Sequence, residues 1–558
     1  MKTFKFILRR INSFLCDLVL AYGLFYLLTF VRPIGFPISA YYFCSVVLYF
    51  GAAYWLFHAS FMQKIFGIEI TKHNLSYALI KITLTGIIPF CITFFLYEFY
   101  LFTFLFGYLF VIILLTLLSL PFTKKSLWQW FSGAKIELRK GAYKSKSSVI
   151  IPLAVTIALL FLPLFQLNPR LEINRYTLLS KNAFPISMPE KSYYAENIRQ
   201  YKEEPVNYIM QLFDKYDIVI LCERWHSECT QWEFFSKIIM NDTFAAKVQN
   251  VFTEIGIIQN QERLNSYMNT HFSTEEDLQR ATAVIVRDVS LWPLWNNTNF
   301  YDFVLHLHQY NATKDSLRRI NLFFTDSFKW NEIKNPIQYD SIVRATNRDS
   351  IMAYNLINQY KKLTNKKCLL ITNTRHAWNY GKNEASYIFK KFPDKTTVVL
   401  INGTTQFLYP AMKGMLDASA LEIPDSIWAI DFKNCPLGNI QFDLMPIKHD
   451  KCSYKDLFAG MVYCNHPSKW IGSVNYPFIL DNYRDILLEK SALLGEKYLN
   501  NEKKLIKKGY FDKVIKNDSP FIALPNLLFL SMHSVILLFL FLNLLIKLLS
   551  LFFSRKTS

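Results

Sequence analysis

Six apolar stretches, at roughly 13–31, 39–57, 75–97, 101–121, 148–166 and 524–553, constrain this chain more than any motif, since each is long enough to cross about 30 Å of hydrocarbon as a helix. With 558 residues, 52% of them hydrophobic, the chain is too long and too apolar for one soluble domain. Part of it is expected to lie in membrane. Lys2, Lys5, Arg9 and Arg10 precede the first stretch in the manner of a secretory signal, but no small-residue cleavage site follows and more spans come after. It reads as a retained span.

The net charge of +19 raises the question of nucleic acid until the charges are located. Residues 1–166 hold 15 Lys and Arg against 4 acids, residues 167–520 hold 44 against 39, and the tail holds 3 against none. The excess therefore sits beside the apolar stretches, where Lys and Arg mark cytoplasmic flanks. It clusters in the first ten residues, in KKSLWQWFSGAKIELRKGAYKSK and in the final SRKTS. Six crossings then place both termini in the cytoplasm of a bacterial cell and residues 167–520 outside it, with Glu98 at an outer turn. Membrane lipids are expected partners, and a nucleic-acid patch is not.

Within residues 1–147, which carry about four of the spans, RRINSFLCDLVL with Arg10 and Asp17, FMQKIFGIEITK at 61–72 and KKSLWQWFSGAKIEL at 124–138 follow one another in the order of an RDD-type membrane domain, which the segment 8–142 resembles. Two departures stand out: no acid lies in the second span, and Gln129 occupies the place of an Asp. Asp17 lies near the start of its span and is expected to reach the headgroups, and Lys81 is expected to snorkel. A transporter reading is disfavoured by the lack of paired polar residues at mid-span. Residues 148–166 form a fifth span and 524–553 the last.

Residues 167–405 read differently. Short β-rich runs at 216–222, 248–253, 319–325, 367–372 and 397–402 alternate with stretches of helical period, which predicts an external α/β domain whose mostly parallel sheet is flanked by helices. Ligands of such sheets bind beyond the carboxyl ends of the strands. There stand Glu223 and His226 after the first run, Glu254 after the second, Asp326 after the third, and Asn373 and His376 after the fourth. Singly, each has a plain structural explanation, a helix cap or a core histidine. Four strands delivering such groups to one edge is the arrangement of a catalytic site.

ILCERWHSECTQWEFF, VFTEIG, WPLWNNTNFYDFVLHLHQYN, RINLFFTDSF, NRDSIMAYNLI and CLLITNTRHAW occur in the order of the corresponding segments of the erythromycin esterase family, whose wider relatives include the ChaN-like haem-binding proteins. This region resembles that family over roughly 216–405. The resemblance implies a small-molecule hydrolase with His226 as general base or water-orienting residue, Glu223 and Glu254 as acidic partners and His376 as a second histidine. It also implies that Arg348 holds an oxygen of the substrate, with Asp326 and Asn373 beside it. An imidazole oriented by carboxylates can take a proton from water attacking an ester carbonyl, and a guanidinium can stabilise the oxyanion. No nucleophilic serine motif is visible, so direct attack by water is expected. Cys222 replaces a family glycine, and NTRH offers one histidine where two are usual. A membrane-tethered module that binds a haem-like or lipid-like ligand without turning it over is therefore the alternative.

No cofactor is expected. Two Glu and two His could ligate a divalent ion, but no closely spaced Cys or His pair marks zinc. His306 and His308 in HLH are expected on a solvated face. Among nine cysteines, Cys222 is expected to be buried and inert, and a disulfide among Cys435, Cys452 and Cys464 is feasible outside the cytoplasm. Residues 406–523 read as an extension and spacer, with a charged helical run, RDILLEKSALLGEKYLNNEKKLIKK. No phosphate-cradling glycine loop is present.

Overall fold

The computed structural model describes residues 2–29, 38–95, scattered positions between 108 and 123, 125–139, 188–289, 297–403, 411–445, 452–475 and 482–518. The spans expected at 148–166 and 524–553, most of that at 101–121, and Glu98 lie outside the described residues. The chain forms two units, one built mainly from Met1–Tyr193 and the other from Tyr194–Phe407 with Ala420–Phe521.

In the first unit, α1 (Lys2–Thr29), α2 (Ile38–Phe57) and α4 (Asn74–Ile82) are joined by the short α3 (Phe61–Ile65) and by the strand β1 (Ile68–Lys72), which pairs antiparallel with β2 (Lys135–Leu138). Ser60 and Gln63 form a capping box at the start of α3, satisfying main-chain donors that a helix end would otherwise leave bare. Among the described residues one helix, Asn74–Cys91, is long and apolar enough to cross a membrane, and a shorter apolar helix covers Tyr42–Phe57.

Three expectations about this unit are corrected. Asp17 does not reach for headgroups and Lys81 does not snorkel: both are buried, with Lys81 Nζ 3.2 Å from Asp17 Oδ2. The supposed lack of paired polar residues fails with them. Asp17 also accepts from Tyr49 (2.7 Å), Ser60 (2.5 Å) and the Met62 N–H (3.3 Å), and the Lys81 ammonium lies 4.3 Å from the Phe50 ring centroid. A charge buried alone is far costlier than one that meets its opposite and has its remaining lone pairs filled. Just past Lys81 the helix widens into one π turn, Thr83–Ile87, whose carbonyls at Leu84 and Thr85 accept hydrogen bonds from the hydroxyls of Tyr108 and Tyr42.

The second unit is the expected α/β domain. Its sheet contains β3 (Ile218–Glu223), β4 (Asn250–Ile257), β5 (Asn321–Asp326), β6 (Cys368–Asn373), β7 (Thr396–Ile401), β8 (Ile427–Asp431) and β9 (Gly460–Cys464), in the order β5-β4-β6-β3-β7-β9-β8. Every neighbouring pair is parallel except β8 with β9. The five runs read from sequence are β3 to β7. Strands buried on both faces need apolar residues at every position, and β3, β4 and β7 are buried along their whole lengths. On one face, Val219, Leu221, Val251, Val399 and Ile401 enter a core with Trp232, Phe235, Phe300 and Phe303 from the covering helices. The sheet does not stop at residue 405. β8 and β9 come from the following segment, whose charged run forms two helices, Tyr483–Leu494 and Glu496–Lys507, broken at Gly495.

Two smaller readings change. The HLH pair is divided: His308 is buried, its Nε2 2.9 Å from the Thr270 carbonyl and its ring against Tyr267 and Phe272, because one face of Thr298–Ala312 packs inward. All nine cysteines are free thiols, so Cys435, Cys452 and Cys464 form no disulfide. Burial pushes the Cys222 thiol up, keeping it protonated and inert.

Candidate active site

Parallel register brings the site together. Glu223, the last residue of β3, lies level with Asn373, the last of β6, and Thr253 of β4 lies level with Ile371. Glu254 therefore emerges beside Thr372. Its direction is set by an irregularity between Thr253 and Ile257, where β4 slips against β5. Such a bulge re-aims side chains at strand ends. Gly256 makes it with φ near +119°, and a Cβ there would come within 2.2 Å of the Phe324 ring. Three residues beyond β3, His226 turns back over the strand end. The chain then enters the helix Cys229–Ile239, whose cap, Glu228, accepts from the N–H groups of Thr230 and Gln231.

Glu223, His226, Glu254 and His376 converge as expected. His226 Nδ1 is 2.5 Å from Glu223 Oε2, and its Nε2 is 3.5 Å from Glu254 Oε1. The other Glu223 oxygen accepts from Trp232 Nε1 at 2.8 Å. Glu254 is the hub. Its Oε1 accepts from Arg348 Nη2 at 2.8 Å and faces His376 Nε2 at 3.5 Å, while its Oε2 accepts from the Asn373 N–H at 2.8 Å and the Thr372 hydroxyl at 3.2 Å. Both carboxylates are buried, whereas the His226 side chain keeps 28% of its surface open. Of the four converging residues, the His226 ring is thus the one most open to a ligand.

Charge follows from these contacts. Burial works against the His226 imidazolium, but Glu223 and Glu254 outweigh it and raise the group from 6.5 to about 10. Burial likewise opposes a charged Glu254, and His226, His376 and Arg348 overcome it, holding the carboxyl well below its ordinary range. At neutral pH the centre is an imidazolium between two carboxylates.

Arg348 opens the helix Arg348–Lys362, capped by Asn347, whose side chain accepts from the Ser350 N–H. It grips Asp326 at 2.9 Å (Nε) and 2.7 Å (Nη2), and its Nη1 is 3.5 Å from His376 Nε2. The next residue, Asp349, accepts from His376 Nδ1 at 2.6 Å, and Arg375 Nε donates to His376 Nε2 at 3.0 Å. These contacts hold the His376 ring between Asp349 and Glu254. Two expected substrate contacts are engaged internally. Asp326 is buried against Arg348 and the Ser327 N–H. The Asn373 side chain donates to the Arg224 carbonyl and accepts from the Arg375 N–H, so that its main chain serves the site.

Sequence reasoning left out Trp232, Asp349, Thr372 and Arg375. Asp349 was signalled by its place beside Arg348 at a capped helix start, but Thr372 carries no signal of its own within an apolar strand. Glu223, His226 and Glu254 each present one ligand atom, all within 4.8 Å of one another. Arg348 Nη2 already lies 2.8 Å from Glu254 Oε1, the oxygen that faces His226 Nε2, so a guanidinium occupies the place that a cation between these ligand atoms would need.

No family model matches the chain, and no curated protein matches it. Solved structures similar to it include a Bacillus cereus protein, 10% identical over 49% of this chain and 96% of its own, with a TM-score of 0.32. A succinoglycan biosynthesis protein is 9% identical over 49% and 97%, with a TM-score of 0.35. The type III effector HopBA1 is 10% identical over 36% and 82%, with a TM-score of 0.25. At these scores the similarities carry no argument about reaction or ligand.

Proposed function

We propose that the α/β unit hydrolyses an ester-like bond in the manner of the erythromycin esterases that its motifs resemble, with His226 as the reacting acid–base group. The observation that carries this reading is the solvent-facing imidazole clamped between buried carboxylates from two strands. Because those carboxylates hold it protonated at neutral pH, His226 works from its acid form. Over one turnover it gives a proton to the leaving oxygen and recovers one from the water that has added to the carbonyl, which returns the imidazolium. Arg348, fixed by Glu254 and Asp326, supplies positive charge where the oxyanion develops. His376, held by Asp349, keeps a ring nitrogen at the same hub.

The unit is proposed to stand outside a bacterial cell membrane, tethered by an RDD-type multi-pass region with both termini in the cytoplasm. The placing of Lys and Arg beside the apolar stretches supports this. So do large apolar side chains exposed on the first unit, Trp55 at 84% and Trp130 at 61% among them, surface that lipid would cover. The test is an ester panel assayed with the purified full chain and with His226→Ala. Turnover by the wild type alone is expected. Equal turnover by both would reject the assignment, and a small molecule retained through purification without any turnover would favour the binding alternative.

A further inference from the structure

A second acid lies behind the hub. Glu384 opens the helix Glu384–Lys391 and is completely buried. Its Oε2 is 2.9 Å from Thr372 Oγ1, which is itself 3.2 Å from Glu254 Oε2. Its Oε1 has no partner among the described residues. A first-turn acid normally draws its charge stabilisation from helix N–H groups. Here neither oxygen receives one, and the Glu384 N–H is turned to Asp349 instead.

One hydroxyl proton therefore lies between two carboxyl groups. Were both ionised, Thr372 could serve only one and would turn a lone pair to the other, inside a dry interior. The charges around Glu384 do not relieve this. Glu254 on β4 and Asp349 on the neighbouring helix are negative, and the cation that faces it, Arg348, has its arms on Asp326 and Glu254. On the reading of Glu254 as the hub that serves His226, we propose that Glu384 is a neutral carboxylic acid and a positioning residue. Its O–H donates a hydrogen bond to Thr372 Oγ1, whose own O–H donates to Glu254 Oε2. The chain fixes the rotation of the Glu254 carboxylate and draws charge from it, which limits how far that carboxylate raises His226. Burial, Glu254 and Asp349 all push the Glu384 carboxyl up, in keeping with this.

The experiment is infrared spectroscopy of the full chain at neutral pH in an ester-free detergent, reading the C=O band that only a neutral carboxyl gives. The wild-type minus Glu384→Gln difference should contain that band. A difference without it would overturn the proposal. Thr372→Val keeps the acid and removes its acceptor, so it covers the case in which the Gln variant does not fold. The band should then move to higher frequency and the His226 titration midpoint should rise, and an unmoved band and midpoint would equally overturn it. Neither readout depends on turnover, so failure of the hydrolase reading leaves this test intact.

Discussion

Replacing Glu223 with Gln should switch the resting charge of the site. His226 Nδ1 lies 2.5 Å from Glu223 and its Nε2 3.5 Å from Glu254. At an effective permittivity of about 20 these contacts are worth about 7 and about 5 kcal/mol of gross attraction. Burial removes much of this, leaving the imidazole at about 10 in place of 6.5. Loss of the nearer carboxylate takes away about 7 kcal/mol of this attraction, about five pH units at about 1.36 kcal/mol each, while burial stays, so the Glu223→Gln midpoint should fall from about 10 to below 7. Gln still offers one acceptor oxygen, but His226 and Trp232 both donate to Glu223, so one donor loses its partner at a cost of about 1–3 kcal/mol. The assay is NMR titration of the labelled histidine ring, with His226 assigned by its own substitution. A wild-type midpoint near 6.5, or a variant midpoint still near 10, would refute the reasoning. The raised value also sets a sign for stability: the contribution is fully present below pH 6.5 and is lost as pH rises through about 10. Esterase activity that relies on the acid form should decline over the upper part of that window.

Three further outcomes follow from contacts elsewhere. Lys81→Met leaves Asp17 buried without its cation and should cost about 3–5 kcal/mol, with much of it recovered in Asp17→Asn with Lys81→Met; thermal unfolding in detergent measures both, and full additivity would contradict the pairing. Gly256→Ala should lose about 2–4 kcal/mol, from left-handed backbone strain and collision with Phe324, and lower turnover with it; a wild-type unfolding temperature would show that the bulge is not needed. A cysteine placed at Leu317, which is 83% exposed, should react with a membrane-impermeant maleimide on intact cells, and labelling only after lysis would reverse the proposed topology.

How much of this was legible depended on whether a residue's role was local. β3 to β7 could be read because burial on both faces demands unbroken apolar runs, and the polar residues ending four of them marked the sheet edge. β8 and β9 were lost within a segment whose Pro, Cys and aromatic residues resemble loop. The Asp17–Lys81 pair joins residues on separate helices, so each charge had to be judged alone, and alone each looked like a side chain reaching for water. Glu384 was concealed by its surroundings: an acid following Asn383 at a helix start is ordinary capping chemistry, and only the fold shows that it points inward. His308 was misread because HLH does not say which of its rings meets Tyr267 and Phe272.

The origin of the last two strands has a consequence for how the molecule is made. Every group of the active site has been synthesised by residue 384, yet the flank of β7, the buried run TTVVLI, waits for β9 at Gly460–Cys464. Until then a nascent chain carries an unpaired apolar edge of the kind that recruits other chains. Fragments cut near residue 405 would keep that edge permanently and should aggregate, however complete their chemistry.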